Sequence, residues 1–274
     1  MPARPNLRVV ALLASYNERR FIEPCLAHLS AQGVEAYLID NGSTDGTVGL
    51  AERWLGRGLI GIESFPRGDE DSYEWARLLA RKEQLGQELD ADWFIHVDPD
   101  EFRLPPGSKR SLKEALEAVD EGGFNAVDFM EFTFVPTREA PDHDHPDFRR
   151  TLRTYYPYRP LPRHRLTAWR SADVDLVHSG GHQVRFEGRR IYPEAFPMKH
   201  YLFLSVPHAV EKYVERRYDA AEVRLGWHGW RARVTPTDLQ LPGESELRVT
   251  TSDDDLDPSD PRVTHHVEDL VSTA

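Results

Sequence analysis

The stretch that most constrains the fold of this chain is W-F-I-H-V-D-P-D-E-F, residues 93–102. Its first five residues have the apolar character of a buried strand, and the carboxylates Asp98 and Asp100 follow directly. Pro99 fixes its own φ and biases Asp98 toward an extended backbone, so the turn is stiff. Two carboxylates on a stiff turn suit Mg²⁺ or Mn²⁺, which complete their coordination with phosphate and water. The alternative is an acidic surface turn without a ligand.

Strand and helix patterns alternate over about the first hundred residues. Residues 8–14 form a continuous apolar run, as expected of a strand buried on both faces, and 36–39 and 59–62 are shorter strand patterns. The alternation indicates an α/β fold with a mostly parallel sheet and helices on both faces. Right-handed crossovers place the ends of strands one, two and four at one edge, where such sheets bind ligands. The residues expected to border a crevice there are Asn17, Asp40, Asp98 and Asp100.

The second half of the chain is less regular. A helix is predicted over 111–119, a long strand over 124–135, and a further helix from about residue 206 to residue 222. The tail is acidic and rich in Ser, Thr, Pro and Asp, so we expect it to be poorly ordered or wrapped over the surface. These patterns divide the chain into an α/β part (1–130), an α+β part (131–235) and an acidic tail (236–274).

Charge and cysteine content narrow the classes of partner. The 274 residues carry a formal net charge of -12, which argues against nucleic acid as a main partner. The single cysteine, Cys25, excludes an internal disulfide, and its helical spacing predicts a buried structural thiol. The N-terminal residues lack the apolar core of a signal sequence, and no run of about 18 apolar residues could span a membrane. We therefore expect a cytoplasmic protein without a membrane span.

Three motifs, in this order, make the chain resemble the family 2 glycosyltransferases, which have the GT-A fold. They are S-Y-N-E (15–18), I-D-N-G-S-T-D-G-T (39–47) and F-I-H-V-D-P-D-E-F (94–102). The third is similar to the D-x-D metal motif of the family, and the later K-H-Y at 199–201 is similar to the family's short form. The resemblance covers about the first 130 residues and is specific as a set. It favours a ligand site over the acidic surface turn.

The resemblance also implies roles for individual residues. Asp100 would coordinate a divalent cation, Mn²⁺ or Mg²⁺, held by the donor's diphosphate, with Asp98 beside it near the ribose or the metal. His200 would complete the metal shell; the alternative is a polar residue at a strand end. The residues implied to bind the nucleotide sugar are Ala14, Ser15, Tyr16, Asn17, Glu18, Asp40, Asn41 and Asp98.

The general base is harder to place. An inverting transfer needs a group that takes a proton from the acceptor hydroxyl. The E-D pair that family members often carry after the acceptor strand is missing. Glu131 is the nearest candidate, with Asp128 and Asp173 behind it, and both Glu131 and Asp128 could equally face a neighbouring strand.

The function expected from these observations is metal-dependent transfer of one sugar from a nucleoside diphosphate sugar, a UDP- or GDP-sugar, to an acceptor hydroxyl. Inversion is the expectation from the family. One alternative is a nucleotidyltransferase on a similar fold, which would carry a Gly-rich basic loop after the first strand, where this chain has S-Y-N-E-R-R. Another is a protein that binds a nucleotide sugar without catalysis.

Overall fold

The computed structural model describes residues 7–68, 72–107 and 110–271. They form two compact units. The first unit comprises residues up to 66, 76–130 and 163–198, and the second comprises 67–75, 131–162 and the residues from 199 onward.

The strands and helices have the following bounds. The strands are β1 (Val9–Ser15), β2 (Glu35–Asp40), β3 (Leu59–Ser64), β4 (Trp93–Val97), β5 (Glu101–Arg103), β6 (Ala126–Phe134), β7 (Thr154–Tyr158), β8 (Arg165–Arg170), β9 (Phe196–Tyr201) and β10 (Arg248–Val249). The α-helices are α1 (Ile22–Ala31), α2 (Thr47–Glu52), α3 (Trp75–Glu88), α4 (Leu112–Glu121), α5 (Phe148–Thr151), α6 (Val206–Ala209), α7 (Ala220–Arg224) and α8 (His266–Val271). Shorter helical turns are the π-helical Val210–Val214 and the 3₁₀ turns Val177–Ser179, Gly229–Ala232, Pro236–Asp238, Glu244–Glu246 and Asp253–Asp255.

The first unit is built on a parallel sheet of the order β3-β2-β1-β4. Beyond β4 the sheet continues with β8 and the beginning of β6, both antiparallel to their neighbours. β1 is buried along its whole length, as its apolar run predicts. The ends of β1, β2 and β4 meet at one edge because all three run parallel, which confirms the predicted shared edge.

Helices cover both faces of this sheet. Alternate residues of a strand point to opposite faces. Trp93, Ile95 and Val97 of β4 join the apolar core that contains α1 and α4, and Cys25 lies in that core as a buried thiol. His96, on the other face of β4, contacts α3. The predicted α/β sheet with helices on both faces is therefore confirmed.

The second unit has its own core, formed by aromatic and aliphatic side chains around β7, the end of β6 and the helical turns after residue 205. β7 pairs with β6 on one side and with β10 on the other, both antiparallel. Leu239 and Val267, which follow residue 236, are buried in this core. The acidic tail is therefore wrapped onto the second unit rather than loosely ordered.

The single helix predicted over 206–222 is wrong. The segment forms α6, a π-helical turn and α7, with a break between residues 214 and 220. In the break, the carbonyl of Arg217 accepts a hydrogen bond from the Tyr73 N–H (2.8 Å) instead of continuing the helix. Asp219 then caps α7 by accepting from the N–H groups of Ala221 and Glu222.

No helix within the described ranges is both long enough and apolar enough to span a bilayer.

Candidate active site

Asp40 is held at the carboxyl edge of the first unit's sheet by its own loop. It pairs in register with Ser15 at the end of β1, whose hydroxyl donates to Asp40 Oδ1 over 3.4 Å. Asp40 Oδ2 accepts the N–H groups of Gly42 and Ser43, both at 3.1 Å. Since Asp40 is buried, these bonds fix the orientation of its carboxylate.

Hydrogen bonds join the S-Y-N-E segment to the loop after β2. Asn17 has a left-handed backbone (φ 56°), a conformation that Asn tolerates better than most residues. Its N–H donates to Ser43 Oγ (3.0 Å), and its Oδ1 accepts from the Thr44 N–H (2.8 Å). The Glu18 N–H donates to Thr47 Oγ1 (2.8 Å). The structure therefore brings together the two motifs that the sequence placed at one edge.

Asn41 lies in the loop after β2, and Ala14 and Tyr16 flank Ser15 at the end of β1. The N–H of Asn41 donates to the Ser15 carbonyl (2.8 Å), and its side-chain amide donates to the Phe65 carbonyl (2.9 Å). The buried Oδ1 of Asn41 meets no donor among the described residues. Ala14 is buried and Tyr16 is half-buried.

The D-P-D turn is closed by two hydrogen bonds between Asp98 and Glu101. The Glu101 N–H donates to the Asp98 carbonyl (3.0 Å), and the Asp98 N–H donates to Glu101 Oε2 (3.3 Å). The Asp98 side chain is 36% exposed, whereas Asp100 is buried. The stiff turn that Pro99 predicts is therefore anchored by a carboxylate as well.

A lysine lies directly beneath this turn. Lys82 of α3 is completely buried, and its Nζ donates to His96 Nδ1 (2.7 Å) and to the Val97 carbonyl (3.2 Å). Its Nζ is also 3.9 Å from Asp98 Oδ1. Burial lowers the pKa of Lys82 to about 8, against the raising effect of Asp98 and Glu101. Burial and the nearby ammonium of Lys82 also lower the pKa of His96, whose Nδ1 accepts the hydrogen bond from Lys82.

Sequence reasoning missed Lys82, although the pattern of α3 contains a signal for it. Leu78, Leu79 and Leu85 of α3 are buried. Lys82 follows Leu78 by four residues and Leu79 by three, and it precedes Leu85 by three. Residues at these spacings share one helix face, so the sequence places this lysine on the buried side.

Two arginines lie close to Glu101, the third carboxylate of the motif. The buried Glu101 receives a hydrogen bond from the Arg103 guanidinium (2.8 Å) and lies 3.7 Å from that of Arg165. Arg165 also donates to His182 Nδ1 (3.2 Å). Burial raises the pKa of Asp98, reinforced by Glu101 and Asp100 and opposed by Lys82 and Arg165. The turn is thus a cluster of acid groups balanced by cations from α3, β5 and β8.

The two predicted site residues of the second unit contact each other. His200 Nδ1 and Glu131 Oε1 are 2.7 Å apart, and both side chains are almost entirely buried. The Thr133 hydroxyl donates to the same Glu131 oxygen (3.0 Å). A carboxylate bound to Nδ1 fixes the histidine tautomer, so any metal coordination by His200 would have to use Nε2.

The described residues contain no group of three or more His, Cys, Asp or Glu side chains arranged to hold a metal ion. What the D-P-D turn offers is a pair of carboxylates. That donor set fits Mg²⁺ or Mn²⁺, ions that bind proteins through one or two carboxylates and take further oxygens from phosphate and water.

Comparison with known proteins gives a family match. Residues 11–172 match the family model described as "Glycosyl transferase family 2", which is more than half of the chain. A lipopolysaccharide core biosynthesis glycosyltransferase, LpsC of Rhizobium meliloti (strain 1021), is 29% identical over 118 residues, 43% of this chain and 40% of the relative.

Solved structures are more distantly similar. Glucosyl-3-phosphoglycerate synthase from Mycobacterium tuberculosis, in complex with Mn²⁺, UDP and glucosyl-3-phosphoglycerate, has 19% identity and a TM-score of 0.31 over 46% of this chain and 44% of that chain. The glycosyltransferase GlyE of Streptococcus pneumoniae TIGR4 has 16% identity and a TM-score of 0.28 over 45% of this chain and 30% of that chain. TM-scores at this level establish no shared function. The chain also spans less than half the length of the relatives it matches.

Proposed function

The chain belongs to glycosyl transferase family 2, and from this premise we propose that it moves a single sugar from a nucleoside diphosphate sugar to an acceptor hydroxyl with the help of a divalent cation. The observation that carries the proposal is the meeting of three loops, after β1, β2 and β4, at one edge of a parallel sheet. Ligands of open α/β sheets bind at this edge. UDP- and GDP-sugars are the donors we propose to test first, and the acceptor is unknown.

Asp40 and Asn41 are the residues we assign to the base and ribose of the donor. Asp40 is held rigidly by backbone N–H groups, and the buried Oδ1 of Asn41 is an acceptor that a ligand donor could satisfy. Ala14, Ser15, Tyr16, Asn17 and Glu18 would line the same pocket from the end of β1 onward.

Asp98 and Asp100 are the residues we assign to Mn²⁺ or Mg²⁺. A divalent ion bound there would neutralise the charge that develops on the leaving nucleoside diphosphate as the glycosidic bond breaks. The chain's own contribution is to hold the acid groups in a stiff turn backed by cations, so that they need little reorganisation when the donor binds.

For the second unit we infer that Glu131 orients His200 instead of acting as the general base. The carboxylate is buried and already accepts hydrogen bonds from His200 and Thr133. A general base must lie within hydrogen-bond reach of the acceptor hydroxyl, whereas a buried carboxylate on a histidine suits the support of a metal ligand. His200 stays a proposed metal ligand through Nε2, and the general base is unassigned.

A nucleotidyltransferase is the second candidate from the sequence, and nothing at the site favours it. Its Gly-rich basic loop would follow β1, where this chain has a segment held by side-chain hydrogen bonds from the next loop. A protein that binds the nucleotide sugar without catalysis would have the same site, so only a measurement of turnover distinguishes it from an enzyme.

Calorimetric titration of the full chain with UDP, GDP and TDP and their sugars, with and without Mn²⁺, tests the proposal. The expected result is Mn²⁺-dependent binding of one nucleotide, lost in Asp100→Ala and kept in Asp90→Ala. Asp90 is a matched control because it is an exposed aspartate before the start of β4, away from the carboxyl edge. Binding to none of the nucleotides would overturn the donor site.

Turnover then separates an enzyme from a binding protein. Slow release of free sugar from the bound donor, lost in Asp100→Ala, is expected of a glycosyltransferase even without its acceptor. A protein that binds one nucleotide sugar tightly, yet releases no sugar with any acceptor tested, would favour the non-catalytic alternative.

A further inference from the structure

Residues 163–190 concentrate positive charge in a chain that is acidic overall. They contain six arginines against the three acidic residues Asp173, Asp175 and Glu187, whereas the whole chain has a formal net charge of -12. Like charges held close together destabilise the folded chain through their repulsion, unless an anion neutralises them. The function proposed above assigns no ligand to this basic segment.

The segment begins beside the D-P-D turn. β8 runs antiparallel to β4, with Ile95 opposite Ala168, so the start of β8 lies at the carboxyl end of β4. Arg165, the buried first residue of β8, is 3.7 Å from Glu101 Oε1, and its guanidinium donates to His182 Nδ1 over 3.2 Å. The basic segment therefore adjoins the edge at which we propose that the donor binds.

Three consecutive residues, 183–185, bring three further arginines of the segment together. The side-chain amide of Gln183 donates to the Arg163 carbonyl over 2.6 Å. The Val184 carbonyl accepts a hydrogen bond from the Arg189 guanidinium, and the Val184 N–H donates to a carbonyl of β8 over 2.8 Å. Arg185 follows directly. We call Arg163, Arg185 and Arg189 the arginine cluster.

No carboxylate among the described residues forms an ion pair with the arginine cluster. Arg163 and Arg185 are exposed, and Arg189 is half-buried. Burial lowers the pKa of the Arg189 guanidinium, and the charges of Arg163 and Arg185 lower it further, as expected of like charges close together. The cluster therefore differs from Arg165, which already faces Glu101. Its charge is available to an anion from outside the chain.

We propose that the arginine cluster binds the anionic group, a phosphate or a carboxylate, of the acceptor. Guanidinium groups present paired N–H donors that match the oxygens of either group. The inference rests on the proposed glycosyl transfer and names the class of acceptor: a hydroxylated molecule with a negative charge, bound beside the donor, rather than a neutral sugar.

The diphosphate of the donor is the other anion expected at this edge. Its charge is assigned to the divalent cation at the D-P-D turn, and the turn's carboxylates already pair with Lys82, Arg103 and Arg165. Within the described ranges, no ion pair joins the arginine cluster to that turn. A second anion, bound at the same time as the donor, is therefore the ligand that fits the cluster.

The simpler interpretation is that the arginines form a solvated basic face that only offsets the acidity of the rest of the chain. That interpretation predicts no saturable binding of a small anion. It also predicts that removing these arginines has the same effect as removing any other exposed arginine.

The experiment is calorimetric titration of the full chain with glucose 6-phosphate, glucuronate and glucose, which share a sugar ring and differ in the group at carbon 6. Each titration is made with and without Mn²⁺ and the nucleotide that binds best. The test variant is Arg163→Gln with Arg185→Gln, two exposed positions at which the change leaves the core intact. Arg57→Gln is the matched control, because Arg57 is an exposed arginine that precedes β3, at the opposite edge of the parallel sheet.

We expect at least one of the two anions to bind about 10-fold or more tightly than glucose, both with and without nucleotide. The anion that binds more tightly identifies the group as phosphate or carboxylate. The double variant should weaken this binding by about 10-fold or more and leave nucleotide affinity unchanged, whereas Arg57→Gln should change neither. If the double variant does not fold, the two single variants replace it, each with a smaller loss in the same direction.

Three results would overturn the inference. The first is that neither anion binds more tightly than glucose, or that Arg57→Gln weakens binding as much as the double variant. The second is that the nucleotide displaces the anion, which would assign the cluster to the donor's diphosphate. The third is that neither small anion binds, while phosphatidylglycerol vesicles retain the wild type and not the double variant, which would assign the cluster to a membrane surface.

The proposed function and this inference can fail separately. If a nucleotide binds and no anion does, the inference fails and the donor site stands. If an anion binds through the arginine cluster and no nucleotide binds, the donor site fails and the anion site stands.

Discussion

Two contacts between a carboxylate and a nitrogen base differ in how deeply the carboxylate is buried. In the first unit, Asp98 meets Lys82 beneath a turn, and the Asp98 side chain is still 36% exposed. In the second unit, Glu131 meets His200 with neither side chain appreciably exposed. The partly exposed carboxylate is accessible to a ligand, whereas the enclosed one already accepts hydrogen bonds from His200 and Thr133. The two contacts therefore differ in whether the carboxylate remains accessible to a ligand.

The largest expected effect is at the carboxylates of the D-P-D turn. Asp100→Ala should lower the rate of sugar transfer by about 100- to 1,000-fold, since loss of a metal's charge stabilisation is worth several kcal/mol. Steady-state kinetics at saturating Mn²⁺ measure this. A variant that keeps more than about a tenth of the wild-type rate would mean that the turn does not hold the catalytic metal.

Glu131→Gln tests the role of the enclosed carboxylate. If Glu131 orients His200, the variant should weaken Mn²⁺ binding by about 10- to 100-fold, as is usual for the partner of a metal-bound histidine. Calorimetry measures the Mn²⁺ affinity. At saturating Mn²⁺, the rate of sugar transfer should return to most of the wild-type value. If turnover is lost while Mn²⁺ affinity is unchanged, Glu131 is the general base after all, and the inference made above is wrong.

The buried lysine should give the protein a characteristic dependence of stability on pH. The pKa of Lys82 is about 8 in the folded chain, against an ordinary value of 10.5. Between these values the unfolded chain binds more protons than the folded one, so the free energy of unfolding rises with pH. The free energy of unfolding of the wild type should therefore rise relative to that of Lys82→Met from about pH 8 to about pH 10.5. Urea unfolding at several pH values measures this difference. A constant difference across that range would contradict the lowered pKa.

The smallest expected effect concerns the left-handed backbone of Asn17. Asn17→Ala and Asn17→Gly both remove the hydrogen bond to the Thr44 N–H, but only Ala is strained at φ 56°. Ala should therefore cost about 1 kcal/mol more than Gly in the free energy of unfolding. Chemical denaturation of the two variants gives the difference directly. Equal stabilities would show that the loop relaxes out of this conformation.

Much of the first unit could be predicted because its signals are local. The apolar run of β1 and the strand of residues 93–97 each stand next to the polar residues that they position. Once the alternation of strands and helices indicates parallel neighbours, topology alone places the loop ends at one edge. Asn17, Asp40, Asp98 and Asp100 were therefore predicted together before any distance was known.

The second unit was harder to predict from the sequence because its contacts join residues that are far apart along the chain. The helix expected over 206–222 breaks where the Arg217 backbone pairs with Tyr73, a contact that helical periodicity does not contain. Glu131 and His200 were each identified, but nothing in the sequence indicated that they bind each other across 69 positions.

The sequence by itself determined the parallel sheet, the acid turn and the family of this protein, because periodicity and short motifs are properties of neighbouring residues. The tertiary structure alone decided the partners of the acid groups: Lys82 for Asp98, Arg103 and Arg165 for Glu101, and His200 for Glu131. A buried charge needs a counterion close to it in the folded structure, and the sequence contains several side chains that could supply one. Packing selects among them, since it fixes which helix face and which strand end are buried together.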